Sequence, residues 1–255
     1  MLLAVDVGNT HSVFGLYDGE TLRIDWRITT GLASTADELG VTLKGLFREA
    51  GIDFESVDGI VIASVVPDLS MPLTEMCRRY FGHEAVFIGP GVKTGVPIHC
   101  ENPHEVGADR IVNAVAARER FGAPVVVVDF GTTTNFDVVG TSGAYIGGVI
   151  APGVNLSAEA LFNKAARLHP VDIHAPETVI GKNTEQCVRS GLFFGYVALV
   201  EGLLRRIRSE IEGEVPVVAT GGVAVLFRNA IEGVDHFVPT LTLDGLRRVW
   251  EQNRP

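Results

Sequence analysis

The chain has 255 residues, with 31 acidic and 21 basic side chains and a formal net charge of −10. That balance argues against a nucleic-acid or anionic-membrane surface, because both need clustered Lys and Arg. The 29 glycines and the Val-rich runs point to an α/β protein, and the length suits one large domain or two small ones. The three cysteines, Cys77, Cys100 and Cys187, have no metal-ligand spacing and are odd in number, as expected of reduced thiols in the cytosol. The first residues lack a basic region and their apolar run stops at Asp6, so no signal peptide is expected. Nor is any apolar stretch expected to cross a bilayer. The expectation is a soluble, cytoplasmic protein.

Taken in order, Leu2 to Val5 reads as a buried strand with Asp6 near its carboxyl end. Gly8, Asn9 and Thr10 supply a turn, and Ser12 to Tyr17 resumes the extended pattern. The tip thus carries a carboxylate, a glycine and small hydrogen-bonding side chains. Glycine lets backbone N–H groups approach a phosphate closely, and an Asp at such a tip suits a hydrated Mg2+. The plainer reading, in which Asp-x-Gly is a turn signal and nothing more, stays open. His11 lies in the same turn, where it would either donate to a phosphate or point away.

Leu22 to Ile28 reads as a third strand, and Ser34 or Thr35 caps a helix that runs to Ala50, where Gly51 stops it. A strand within Val57 to Val66 ends at Pro67; a helix over Leu69 to Phe81 and a short strand over Ala85 to Ile88 follow. After a Gly- and Pro-rich loop, Asn102-Pro103-His104-Glu105 reads as a capping box that opens a helix to about Phe121. That helix would carry Gly107, Ala108, Asp109 and Arg110, with Asp109 on the face of Val106, Val112, Asn113 and Ala116. Gly107 and Ala108 keep the surface shallow for a close-fitting ligand, and Arg110 offers a planar fork for a carboxylate or phosphate. A partly exposed Asp beside an Arg on a helix is the plainer alternative.

The second half repeats the first device. Val125 to Val128 is an apolar strand followed by Asp129-Phe130-Gly131-Thr132-Thr133, and Asn135 to Val139 and Tyr145 to Ile150 continue as strands. Helices are expected over about 155–168, 184–211, 224–230 and 242–253, with a strand from Val217 leading into the glycine turn Thr220-Gly221-Gly222. Two strand-Asp-x-Gly-x-Thr segments about half the chain apart suggest a duplicated fold, with lobes over residues 1–118 and 119–255 facing each other across a cleft. The pattern resembles the actin-like ATPase superfamily, which includes sugar kinases, the heat-shock chaperone ATPase and acetate kinase. In that superfamily two such hairpins clamp the phosphates of ATP. The histidines show no zinc spacing, and no Gly-x-Ser-x-Gly elbow, Walker loop or dinucleotide fingerprint is present. Phosphoryl transfer is the chemistry the pattern supports.

A closer resemblance rests on the ordered set Asp6-Val7-Gly8-Asn9-Thr10, Ser64-Val65-Val66-Pro67, Asn102-Pro103 with Gly107-Ala108-Asp109-Arg110, and Asp129-Phe130-Gly131-Thr132-Thr133. Gly147-Gly148 with Ala151-Pro152-Gly153, Gly181-Lys182-Asn183-Thr184 and Thr220-Gly221-Gly222 complete it. The set, which spans the chain, resembles the type III pantothenate kinases. The resemblance implies an actin-like (ribonuclease H-like) two-lobed α/β fold and transfer of phosphate from ATP to pantothenate, the first step of coenzyme A synthesis. It further implies that Asp6, Val7, Gly8, Asn9, Thr10, His11, Ser12, Val13 and Thr132 bind ATP, with Asp6 on the Mg2+ side. Gly107, Ala108, Asp109 and Arg110 would form the pantothenate site, Asp109 as the base. Asp129 matches the ligand of a monovalent cation, K+ or NH4+, and Thr184 a substrate contact made across a homodimer interface. Cys100 stands where the family usually has an aromatic residue, commonly Tyr, so the cover over pantothenate would differ. Rival readings are another small-molecule kinase of the superfamily, a non-catalytic nucleotide-binding regulator, and a chaperone-like ATPase.

Overall fold

β1 (Leu2–Val7) is the middle of a five-stranded sheet, pairing antiparallel with β2 (His11–Asp18) on one side. A strand covered on both faces reads as a continuous apolar run rather than an alternation, and Leu3, Ala4 and Val5 lose all exposure. β3 (Thr21–Thr29) forms the outer edge and alternates between exposed and half-buried residues. α1 (Ala36–Glu49) is held by a full capping box, Thr35 and Glu38 bonding each other's backbone. β4 (Gly59–Ser64) runs parallel to β1, α2 (Ser70–Met76) follows, and β5 (Val86–Phe87) closes the order β3-β2-β1-β4-β5. One core of this unit gathers Val5, Phe14, Leu43, Phe47, Ile62 and Met76.

α3 (Ala108–Phe121) leads to β6 (Val125–Phe130), β7 (Thr133–Val139) and β8 (Tyr145–Pro152). Then come α4 (Val154–Lys164), α5 (Thr184–Ser209), β9 (Val217–Thr220), α6 (Ala224–Phe227) and β10 (His236–Phe237). The second sheet has the order β10-β9-β6-β7-β8. Read from β8, it repeats the first sheet strand for strand: an antiparallel meander, then two parallel additions. The expected duplication is therefore a duplication of topology.

In this computed structural model residues 1–254 are described, and they fall into two units, one spanning Ala117–Pro239. The other joins Met1–Ala116 to the carboxyl-terminal stretch from Thr240, including α7 (Leu241–Asn253). The expected second lobe ran to residue 255. Instead α7 packs on the first sheet: Trp250 lies where a side chain on Gly59 would stand, Leu243 does the same at Gly15, and the Tyr17 hydroxyl donates to Asp244 Oδ1 at 2.7 Å. Glycines in β2 and β4 leave the room that lets the helix settle against the strands.

Three further expectations change. The helix read from Asn102 begins only at Ala108, because residues 103–105 form a single 3-10 turn and Val106 is extended. Asp109 therefore stands in the first turn of α3 rather than in mid-helix. α2 ends at Met76 and passes into a wider π-turn over Cys77–Phe81. Lastly, α5 is long and apolar enough to cross a bilayer, with mean hydropathy 1.5, contrary to the expectation from sequence. Only Glu201 interrupts the uncharged run from Ser190 to Leu204. One face of α5, carrying Phe193, Tyr196, Val200 and Leu204, forms part of the second unit's core, as in a core helix of a globular unit.

Candidate functional site

The first hairpin tip is stiffened by backbone bonds. Gly8 N–H donates to His11 O at 3.1 Å, which closes the turn, and no residue of the tip needs a left-handed conformation. Asn9, Thr10 and His11 are exposed, Asp6 and Gly8 are half-buried, and Val7 is buried in the core. Val7 and the half-buried Val13 thus present backbone, and little side chain, to anything bound at the tip. Ser12 is buried, its hydroxyl 2.8 Å from that of Thr30. Thr30, which follows β3, was not singled out from the sequence; no local pattern marks it, since its role depends on strand pairing.

A second element of the same unit converges on this edge. Beyond β4, Val65 N–H donates to Val7 O at 3.1 Å, extending the parallel ladder past the strand end. The Ser64 hydroxyl accepts from Val66 N–H at 3.2 Å and fixes the turn that follows. A Cβ on Gly107 would lie 3.6 Å from Val65 Cγ1 and only 2.5 Å from Asp109 Oδ1. Hence Gly107 lets Asp109 fold back against the chain just before α3, beside Val65, whose N–H bonds the last residue of β1. Arg110 N–H donates to Asp109 Oδ1 at 2.9 Å. Burial raises the Asp109 pKa above the ordinary carboxylate value, and the Arg110 N–H bond and guanidinium charge oppose the rise. A carboxylate so placed is a stronger proton acceptor than one in water. Gly107, Ala108, Asp109 and Arg110 are half-buried, as is Cys100 in the preceding loop.

The second unit builds its own hairpin tip. Asp129 pairs across the sheet with Asn135 of β7 and Thr220 of β9, so the three side chains share one face. Gly131 N–H donates to Thr133 O at 3.0 Å and Gly153 N–H to Thr132 O at 3.1 Å, leaving Thr132 exposed at the tip. Gly153 can be nothing but glycine, since a Cβ there would stand 2.4 Å from Thr132 O. Gly221 has φ +98, and a Cβ would meet both Asp129 Oδ1 and Phe130 O at 2.5 Å. Among the described residues, the buried Thr220 hydroxyl has no hydrogen-bond partner. Behind the tip, Thr134 hydrogen-bonds the Tyr196 hydroxyl of α5. Burial pushes Tyr196 up to about 12, the Thr134 bond lowers it, and the charge of Asp129 raises it further.

Thr184 is the exposed first residue of α5, where Asn183 caps the helix by accepting Gln186 N–H at 2.9 Å. Among the described residues no group of three or more His, Cys, Asp or Glu could enclose a metal ion. A divalent ion would then share its coordination with phosphates and water, the habit of Mg2+.

The family model described as type III pantothenate kinase matches residues 2–206. A type III pantothenate kinase of Moorella thermoacetica is 49% identical over 253 residues, covering 99% of this chain and 100% of the relative. That of an Exiguobacterium species is 48% identical over 254 residues, covering 100% of both. Among solved structures, a protein described as a 2-dehydro-3-deoxygalactonokinase from Sinorhizobium meliloti aligns with a TM-score of 0.62 at 14% identity, covering 100% of this chain and 97% of that one. At that identity the match speaks for the fold alone, which is the actin-like fold of the sugar kinases.

Proposed function

The chain belongs to the type III pantothenate kinase family, and from that footing we propose how its residues divide the work. As a member it is a kinase that uses ATP to phosphorylate pantothenate to 4'-phosphopantothenate in coenzyme A synthesis. The observation that carries the residue assignment is that Gly107, just before Asp109, lies beside Val65, which extends the parallel pairing of β4 with the end of the β1 strand that carries Asp6. Asp109 accepts the proton of the primary hydroxyl of pantothenate as the bond to phosphorus forms. Its raised basicity and its anchoring by Arg110 N–H suit that role. Phosphoryl transfer has little covalent chemistry for a protein to perform, so position and charge neutralisation dominate.

The tip over Asp6–Thr10, with His11, Ser12 and Val13, holds the ATP phosphates, and Thr132 is assigned to ATP as well. Asp6 fits an Mg2+ site because it supplies one carboxylate at a strand end, and the bound ion would neutralise phosphate charge. Asp129 fits a monovalent cation, K+ or NH4+. The orphaned Thr220 hydroxyl beside it in the sheet adds a hard oxygen of the kind such an ion takes. Gly107, Ala108, Arg110 and Cys100 surround pantothenate.

The reading also includes a homodimer through α5. Its outward face carries Gly191, Gly195 and Ala198, all exposed, and among the described residues nothing beyond the helix's own adjacent backbone lies within 4 Å of a Cβ built on either glycine. Exposed Ile146 and Ile150 on β8 add apolar surface to the same unit. Such a dimer would bring Thr184 of one chain to the pantothenate of its partner. Cytoplasmic placement follows from substrates that are cytosolic metabolites.

The test is phosphorylation of pantothenate by purified protein with Mg-ATP, in K+ and again in Na+, beside Asp109→Asn. K+-dependent product that collapses in the variant supports the assignment. Equal rates in both salts would remove the cation from it, and an active variant would remove the base.

A further inference from the structure

We propose that Thr30 is a positioning residue that aims the backbone of the first hairpin tip at the ATP phosphates, an inference that rests on reading this tip as the phosphate site. Three bonds tie Thr30 to the tip. Its N–H donates to Thr10 O at 2.9 Å, its Oγ1 donates to Gly8 O at 2.8 Å, and its Oγ1 lies 2.8 Å from Ser12 Oγ. A hydroxyl has one hydrogen, and a carbonyl can only accept. Thr30 therefore spends its hydrogen on Gly8 O, and Ser12 must be the donor to Thr30. The result is a one-way relay, Ser12 to Thr30 to the Gly8 carbonyl, in which both hydroxyls are buried.

The relay has a consequence for the neighbouring amide. A trans peptide is planar, so its C=O and N–H point in opposite directions. Holding Gly8 O inward toward Thr30 turns Asn9 N–H outward, to the exposed side of the tip. An ordinary tight turn would leave that peptide free to flip, and a flipped peptide would present an oxygen to an anion instead of an N–H. Thr30 thereby fixes the polarity of the tip without touching the ligand. Serine can replace it in the relay; valine, of nearly the same shape, cannot.

Five variants of the protein test this: Thr30→Val, Thr30→Ser, Ser12→Ala, Asn9→Pro and Asn9→Ala. The readouts are KM for ATP, KM for pantothenate, kcat, and direct binding of ATP, ADP and adenosine. Asn9→Pro deletes the amide that would face the phosphate, and Asn9→Ala controls for its side chain. The expected result for Thr30→Val is a rise in KM for ATP of about tenfold, the size of one or two lost hydrogen bonds, with KM for pantothenate unchanged. Binding of ATP and ADP should weaken while binding of adenosine does not, and Thr30→Ser should restore the wild-type values. A purely structural role would lower all parameters together and would not sort ligands by their phosphates. If Thr30→Val does not fold, Ser12→Ala reports on the same relay with a smaller shift of the same sign. Weakened ATP binding in Asn9→Pro with none in Thr30→Val or Ser12→Ala would overturn the relay but keep the phosphate site. Unchanged ATP binding in Asn9→Pro would overturn the phosphate site, and the relay's purpose with it.

Discussion

Gly107 and Asp109 are coupled by space: a single methyl on the glycine would stand 2.5 Å from the Oδ1 of the aspartate. The contact is with the end of a short side chain that is itself held by Arg110 N–H, so the carboxylate could yield only by giving up that bond. Gly107→Ala should therefore swing Asp109 away from its place while leaving the sheet intact. We expect kcat to fall by about one to two orders of magnitude, the cost of misplacing a catalytic group by an ångström. Circular dichroism and the melting temperature should change little. A variant with full kcat would show that Asp109 does not need this position.

Asp109→Asn should separate activity from stability. Loss of a general base costs about 10²–10⁴ in rate, and turnover of pantothenate should fall within that range. Stability should move the other way. Because burial raises the folded-state pKa, the protonated acid contributes stability below the unfolded pKa, and that contribution is lost as pH rises through the folded pKa. Asparagine is never charged and escapes the loss. Near pH 7 the variant should melt above the wild type, and the difference should vanish at pH below the unfolded carboxylate value. For the wild type, kcat should climb with pH across a region shifted upward from the ordinary Asp value.

Gly221 bears on the second hairpin. At φ +98 an alanine is strained, and its Cβ would press on Asp129 Oδ1 and on the Phe130 backbone at 2.5 Å. Backbone cannot move aside cheaply. Gly221→Ala should lower the melting temperature, and the K+ concentration for half-maximal activity should rise by about tenfold or more as Asp129 loses its place. Asp129→Asn should reproduce the K+ effect with less loss of stability. Titration of activity with KCl at constant ionic strength separates the two.

Gly195 offers a clean test of assembly. Nothing stands within 4 Å of a Cβ at this exposed position, so Gly195→Arg should leave the isolated chain folded. In a closely packed α5–α5 interface the same side chain has no room. Sedimentation should then show a monomer, and KM for pantothenate should rise if Thr184 acts across the interface. A dimeric, fully active Gly195→Arg protein would place the interface elsewhere.

Much of this was legible along the chain because local chemistry wrote it there. Continuous apolar runs ending in Asp marked β1 and β6 as buried strands, since a strand covered on both faces has no polar side to show; their central place in each sheet came from the pairing. Ser34 or Thr35 ahead of the acidic first turn announced the start of α1, where the structure makes Thr35 the cap, and the two Asp-Gly-Thr turns announced the duplicated hairpins. The order of motifs identified the family, and with it the chemistry. What the tertiary structure decided was everything that depends on a partner distant in sequence. The start of α3 moved to Ala108, because backbone geometry at Val106 rather than the Asn102-Pro103 signal sets it. α7 returned to the first unit because Gly15 and Gly59, far from it along the chain, leave space for Leu243 and Trp250. Thr30 carries no motif at all. Its bonds to Gly8, Thr10 and Ser12 exist because β3 lies beside β2, and a hydrogen bond across a sheet follows from register, which no window of neighbouring residues contains.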